Sequence, residues 1–205
     1  MRKYTLIGFQ LRGLGEYMRL LFKDNEIPFE NIAHTAEEWP TVKHNYPYSQ
    51  LPILKDGDIV IPQTGAIMRH LARAHNLYGS TDEERTYLDV FFEGLRDLRS
   101  KYSHMVYNDY EHKEQYVTET LPVELARIEK MFKTRKNGEA FVLGDKISFA
   151  DYVFFEELDI AQATAPGSLD KFPTLKAFYE RFKERPNIKK HLATRFKQIN
   201  IGGRV

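Results

Sequence analysis

Tyr48-Ser49-Gln50-Leu51-Pro52-Ile53, followed by Gln63-Thr64-Gly65-Ala66-Ile67-Met68-Arg69-His70-Leu71, carries the clearest structural signal in this 205-residue sequence. Pro52 stands at the mouth of a short β-run, where a residue without an N–H can open a strand. Gln63-Thr64 is a polar pair ahead of a helix whose apolar residues, Ile67, Met68 and Leu71, recur at helical spacing. Together the two segments describe a backbone edge able to pair with a peptide-like ligand. Beside it lies a helix N-terminus whose free N–H groups attract a carboxylate.

Working outward, Tyr4 to Phe9 is β-branched and aromatic enough for a strand, and Gly15 to Asn25 carries helix-spaced Met18, Leu21 and Phe22. Phe29 to Ala33 and Ile53 to Lys55 read as further strands. Asp56-Gly57 is a hairpin signal leading into Ile59-Val60-Ile61. A helix from Thr64 to about His75 completes a βαβ then ββα order, which predicts a small mixed sheet with helices packed against it. After Leu77-Tyr78-Gly79-Ser80 the character changes, and Thr81-Asp82-Glu83-Glu84 has the spacing of a capping box. The boundary is placed here, giving domains 1–78 and 82–205. From Leu88 to Val106, apolar residues recur at three- and four-residue intervals, and a second helix is expected over about Leu121 to Thr134. Ser148 and Asp151 form another capping box, with Ile147 and Tyr152 spaced for a hydrophobic staple. Helices near 175–184 and 188–194 precede a tail, 202–205, expected to fray. The second domain is read as all helix.

Composition excludes several function classes. Thirty Lys and Arg against twenty-nine Asp and Glu leave no field of one sign to gather nucleic acid or an anionic membrane. No cysteine is present, so disulfides and thiolate metal sites are excluded, and the seven histidines show no metal spacing. No stretch approaches the roughly 20 apolar residues of a membrane span, and the N-terminal apolar run is too short for a signal peptide. The reading is a soluble, cytoplasmic protein with no metal.

Phe9-Gln10-Leu11-Arg12-Gly13, Gln50-Leu51-Pro52, the Gln63 to Leu71 helix start, Phe92-Glu93-Gly94-Leu95-Arg96-Asp97-Leu98 and the second capping box occur in one order along nearly the whole chain. In these motifs the chain resembles the cytosolic glutathione transferases, and is most similar to a nematode branch near the pi and sigma classes. The resemblance implies a thioredoxin-like N-terminal domain with a mixed four-stranded sheet, an all-α C-terminal domain, and a homodimer using glutathione as co-substrate. It implies a cis peptide at Pro52 that lets the Leu51 backbone pair with the cysteinyl part of glutathione, beside Gln50. It further implies that Gln63 and Thr64 hold the γ-glutamyl carboxylate, while Trp39 and Lys43 hold the glycyl end. Asp97 would reach the γ-glutamyl ammonium of the partner subunit's ligand, and Tyr48 would be an aromatic key inserted into the partner. Phe9, Leu11 and Tyr107, with Tyr110 near it, would line the hydrophobic-substrate pocket. Each of these has a plainer reading from the residues alone: an ordinary strand-opening proline, a threonine helix cap, a packing tryptophan, a solvated face, a buried loop tyrosine or a core stripe.

At one position the chain departs from the family. The tyrosine that donates to the glutathione sulfur is expected at the end of the first strand, and that position is Gly8. A free thiol has a pKa of about 8.5, so a donor to sulfur is what raises the thiolate fraction at neutral pH. Tyr4 lies four residues back, about 13 Å along a strand, too far to replace it. The remaining explanations are a donor from elsewhere, such as Tyr107, Tyr17, a backbone N–H or water; a non-catalytic, ligandin-like binding protein; and a glycine introduced by mutation. A second departure is Leu14, where pi enzymes carry an arginine and sigma-like ones do not. The leading expectation is a glutathione transferase acting on small hydrophobic electrophiles with weakened thiolate activation. The alternatives are the ligandin-like protein and a sigma-like isomerase of lipid endoperoxides.

Overall fold

The computed structural model describes residues 3–196, so the 202–205 tail lies outside the described residues. The described chain forms two compact units, one of residues 3–75 and 185–196, the other Asn76–Glu184.

The first unit contains β1 (Tyr4–Phe9), α1 (Glu16–Asp24), β2 (Phe29–His34), α2 (Trp39–Val42), β3 (Ile53–Asp56), β4 (Ile59–Pro62) and α3 (Thr64–Ala74). The strand order is β2-β1-β3-β4. β1 is parallel to β2 and antiparallel to β3, and β3 is antiparallel to β4. β1 is therefore a central strand, and Tyr4, Leu6, Ile7 and Gly8 are all buried, as a strand covered on both faces requires. Gly57 takes a φ of +59° in the β3–β4 hairpin, a conformation glycine adopts without steric cost. α1 buries Met18, Leu21 and Phe22, and Phe22 stacks on Phe29 with ring centroids 4.6 Å apart.

Helix α9 (Pro186–Leu192) packs on α1 and so groups with this unit, whereas the sequence reading counted it in the second domain. Arg185 makes a forked ion pair with Asp24, donating from Nε at 3.0 Å and from Nη2 at 2.7 Å. His191 Nε2 lies 2.9 Å from Glu16 Oε1, and Ile188 is fully buried. Burial alone would raise the Glu16 pKa, but His191 and Arg19 outweigh it and hold the carboxyl below its ordinary value of 4.5. A depressed folded pKa stabilises the fold fully above 4.5, and that contribution is lost as the pH falls through the depressed value. Hydrogen exchange should accordingly show α9 losing protection, as the pH falls below 4.5, before β1 and β3 do.

The second unit holds α4 (Asp82–Asn108), α5 (Lys113–Gln115), α6 (Leu121–Phe132), α7 (Phe149–Thr164) and α8 (Pro173–Lys183). Thr81 caps α4 by accepting from the Glu84 N–H at 3.1 Å, as its sequence predicts. At α7 the capping box is complete: Asp151 Oδ2 accepts from the Ser148 N–H and Oγ, each at 2.7 Å, while Oδ1 accepts from the Val142 N–H at 2.8 Å. α7 is buried on nearly every side, and Phe154 packs against Phe132 and Phe178 at 4.9 and 4.3 Å.

Candidate functional site

The segments at Gln50 to Ile53 and at Gln63 to Leu71 meet at the start of α3. The Leu51–Pro52 peptide is cis, and Pro52 is buried as β3 begins. Gln63 Nε2 donates to Gln50 Oε1 at 3.4 Å, which sets the two segments side by side. Gln63 is the residue before the helix and Thr64 its first member, with Thr64 95% buried. Gln63, at the cap position, makes no side-chain cap hydrogen bond. The first intrahelical bond runs from the Ile67 N–H to Gln63 O, which leaves the N–H groups of Thr64, Gly65 and Ala66 without an intrahelical acceptor.

Backbone strain gathers at the same place. Gln63, Tyr48 and Ser49 have φ of +70°, +58° and +47°, a region non-glycine residues occupy at a cost of about 1–3 kcal/mol each. Nothing in the identities of these residues announces that conformation. Strain kept in this way needs surrounding structure to enforce it, and it concentrates where a ligand is gripped.

Trp39 opens α2 and is half-buried in an aromatic cluster. It meets Phe9 edge-on at 5.2 Å and stacks near Tyr46 at 5.9 Å, and the Tyr46 hydroxyl lies 2.9 Å from His34 Nε2. Phe9 is thus placed against Trp39, and Leu11 beyond it is half-buried. Lys43 follows α2 with its side chain exposed, and Gln50 is exposed as well. The short α2 went unread in the sequence because four residues with a proline carry no periodicity.

Gly8 is buried near the end of β1, paired with Ala33 of β2. A Cβ built there would stand 3.3 Å from Arg19 Nη2. Arg19, on α1, is 97% buried and anchors the β1–α1 turn: Nη1 donates to Leu11 O, Arg12 O and Glu16 Oε2, and Nε donates to Asn31 Oδ1, all at 3.1 Å. Sequence reasoning passed over this arginine. Its only signal was the pair of glycines, Gly8 and Gly15, whose absent side chains make room for it. Of the other candidate donors in this unit, Tyr17 is fully buried, and the Tyr4 hydroxyl is engaged with His75 Nε2 at 3.0 Å. Leu14 is half-buried.

In the second unit Asp97 is exposed on α4, in a groove of about 190 Å³ lined by Val90, Phe91 and Gly94 and by Arg127 and Met131 of α6. Tyr107 is 59% exposed near the end of α4, with burial of its inner part raising the hydroxyl pKa, and Tyr110 is 39% exposed. Asp109, Glu111 and His112 bring metal-ligand atoms within 4.8 Å of one another, a local cluster that the sequence spacing did not flag. His112 Nδ1 already donates to Asp109 Oδ1 at 2.5 Å. Among the described residues no helix is long and apolar enough to cross a membrane.

Residues 1–73 match the family described as glutathione S-transferase, N-terminal domain, and residues 96–195 match glutathione S-transferase, C-terminal domain. A glutathione S-transferase P of Caenorhabditis elegans is 51% identical over 191 residues, 93% of this chain and 92% of its own length. The solved pi-class glutathione S-transferase of Onchocerca volvulus has a TM-score of 0.91 at 48% identity, covering 93% of this chain and 92% of that one. The sigma-class enzyme of Fasciola hepatica has a TM-score of 0.85 at 27% identity, covering 95% and 97%.

Proposed function

The chain belongs to the glutathione S-transferase family, and on that premise we propose that it binds glutathione in its first unit and transfers the thiol to small hydrophobic electrophiles, with thiolate formation weakened at Gly8. The observation that carries the binding half is the uncapped start of α3. Free N–H groups, the helix dipole and the Thr64 hydroxyl converge beside the cis Leu51–Pro52 peptide, and a carboxylate is the group such an arrangement attracts. In this reading Gln63 and Thr64 hold the γ-glutamyl carboxylate, Leu51 pairs with the cysteinyl backbone next to Gln50 and Pro52, and Trp39 and Lys43 hold the glycyl end. Thr64→Val keeps the shape and removes the hydroxyl. Hydrogen bonds to charged groups contribute about 1.5–3 kcal/mol, so it is expected to weaken glutathione binding by about 10- to 100-fold in calorimetry. Unchanged affinity would remove Thr64 from the site.

The homodimer belongs to the same proposal. Tyr48 presents a ring that is 73% exposed on a backbone of positive φ, a display that suits insertion into a partner. Asp97 stands in the α4–α6 groove, where a carboxylate would serve the partner's γ-glutamyl ammonium. Tyr48→Ser is expected to shift sedimentation toward monomer at micromolar concentration, and a variant as dimeric as the parent would exclude the key. For the hydrophobic substrate, Phe9 and Leu11 offer half-buried apolar side chains in the first unit. A cytoplasmic setting goes with this reading.

Gly8 favours a second reading, in which the chain holds glutathione or hydrophobic ligands without useful turnover. A glycine has no side-chain hydroxyl to offer sulfur, and the Tyr17 and Tyr4 hydroxyls of the same unit are buried or engaged. Conjugation of glutathione to an aryl halide separates the two. A rate above the uncatalysed reaction that saturates with glutathione supports the transferase, and binding with no such rate supports the binding protein.

A further inference from the structure

We propose that the hydrogen bond between Tyr46 and His34 is the latch that holds the α2 segment, with Trp39 and Lys43 on it, against the sheet. Tyr46 and His34 are then positioning residues for the glycyl end of glutathione. The inference rests on the glutathione reading above and adds these two residues to it.

Residues 37–50 include no fully buried side chain: Trp39, Val42 and Tyr46 are half-buried and the others are exposed. The backbone hydrogen bonds of this run close local turns. The Trp39 N–H donates to Thr35 O, Thr41 to Glu38 O, Tyr46 to Lys43 O and Ser49 to Tyr46 O. Thr35 and Glu38 bond each other reciprocally, backbone N–H to side chain, at 3.1 Å in both directions, again within one turn. Among the described residues, the contact of 2.9 Å between the Tyr46 hydroxyl and His34 Nε2 is the one side-chain hydrogen bond that ties residues 39–49 to a strand.

His34 is a fixed anchor. It ends β2, pairs with Phe9 of β1, and its carbonyl accepts from the Gln10 N–H at 2.9 Å. The rings of His34, Trp39 and Tyr46 form a triangle with centroids 5.7 to 6.2 Å apart, and Phe9 meets Trp39 edge-on at 5.2 Å. Tyr46 is therefore held at its ring, while its N–H fixes the turn that presents Lys43. A hydroxyl both donates and accepts, so the bond forms with either tautomer of His34. A segment with few buried apolar contacts opens locally at little cost, and one bond then changes how often it is docked. A ligand that needs the docked form binds more weakly in proportion to the undocked fraction.

Trp39 is the single tryptophan of the chain, so acrylamide quenching of its emission reads the docking of α2 without any ligand. Glutathione affinity is measured calorimetrically on the same samples. Tyr46→Phe keeps the ring and removes the hydroxyl, and His34→Leu removes the ring nitrogen. Each is expected to increase quenching and to weaken glutathione binding by about 3- to 10-fold, and the double variant to bind no more weakly than the weaker single one. His34→Gln, whose amide reaches the Tyr46 hydroxyl, is expected to recover most of the affinity, which general damage to the fold would not allow. If His34→Leu does not fold, Tyr46→Phe and His34→Gln carry the test. Affinity unchanged in Tyr46→Phe overturns the inference and leaves the glutathione reading standing, as does a loss of affinity with quenching unchanged. Additive losses in the double variant overturn the bond as the link between the two residues. No binding by the parent chain overturns the glutathione reading, and this inference with it.

Discussion

Gly8→Tyr is expected to raise kcat/KM for conjugation of glutathione to a generic aryl halide by about 10²-fold, the scale on which one well-placed donor to a developing anion acts. The backbone at Gly8 is ordinary extended strand, so a tyrosine meets no conformational barrier there. Its Cβ approaches Arg19 Nη2 at 3.3 Å, which asks that end of the guanidinium to yield by a few tenths of an ångström. The longer bond from Nη2 to Phe9 O is the one that would give. A hydroxyl donating to sulfur acts on the anion directly, through a charge-assisted hydrogen bond. Steady-state kinetics at saturating electrophile checks this, and a rate no higher than that of the parent would show that sulfur activation in this chain does not depend on position 8.

The largest effect on stability is expected at Asp151. Its carboxylate is fully buried and satisfies three donors, the Ser148 N–H and Oγ and the Val142 N–H, at the start of the most buried helix. Asp151→Ala strands these donors without water to replace them. Each buried unsatisfied group costs about 1–3 kcal/mol, so a loss of roughly 3–5 kcal/mol is expected, a large fraction of the stability of an ordinary domain. Urea unfolding should show the midpoint falling, and Asp151→Asn, which retains one acceptor oxygen, should lose less. An alanine variant as stable as the parent would mean that the box only fixes the entry of α7.

The strands were legible to within about one residue because their signals are local: the β-branched and aromatic run of β1, and the Asp56-Gly57 turn that closes β3 on β4. Both capping boxes were legible for the same reason, since cap and partner lie three residues apart. The affiliation of α9 was not, because it depends on Arg185 finding Asp24 and His191 finding Glu16, pairs more than 160 residues apart in sequence. The stretch from Tyr110 to Thr120 changes helical pitch twice, and its charged residues carry no period to follow. At the site, the residue types that suggest a carboxylate grip were visible at Gln63 and Thr64. The left-handed backbone of Gln63, Tyr48 and Ser49 was not, because these side chains do not ask for it. Arg19 was hidden within an amphipathic helix and becomes conspicuous only when two absent side chains are seen to face one nitrogen.

In the proposed function, holding glutathione and activating its sulfur are separable, the first assigned to the start of α3 and the second to position 8. Titrating glutathione into the parent chain and into Gly8→Tyr tests this most directly, with the conjugation rate taken on the same preparations. The account predicts saturable binding to both, with affinities within about threefold of each other while the rates differ by tenfold or more. Binding that appears only when tyrosine is introduced would contradict it.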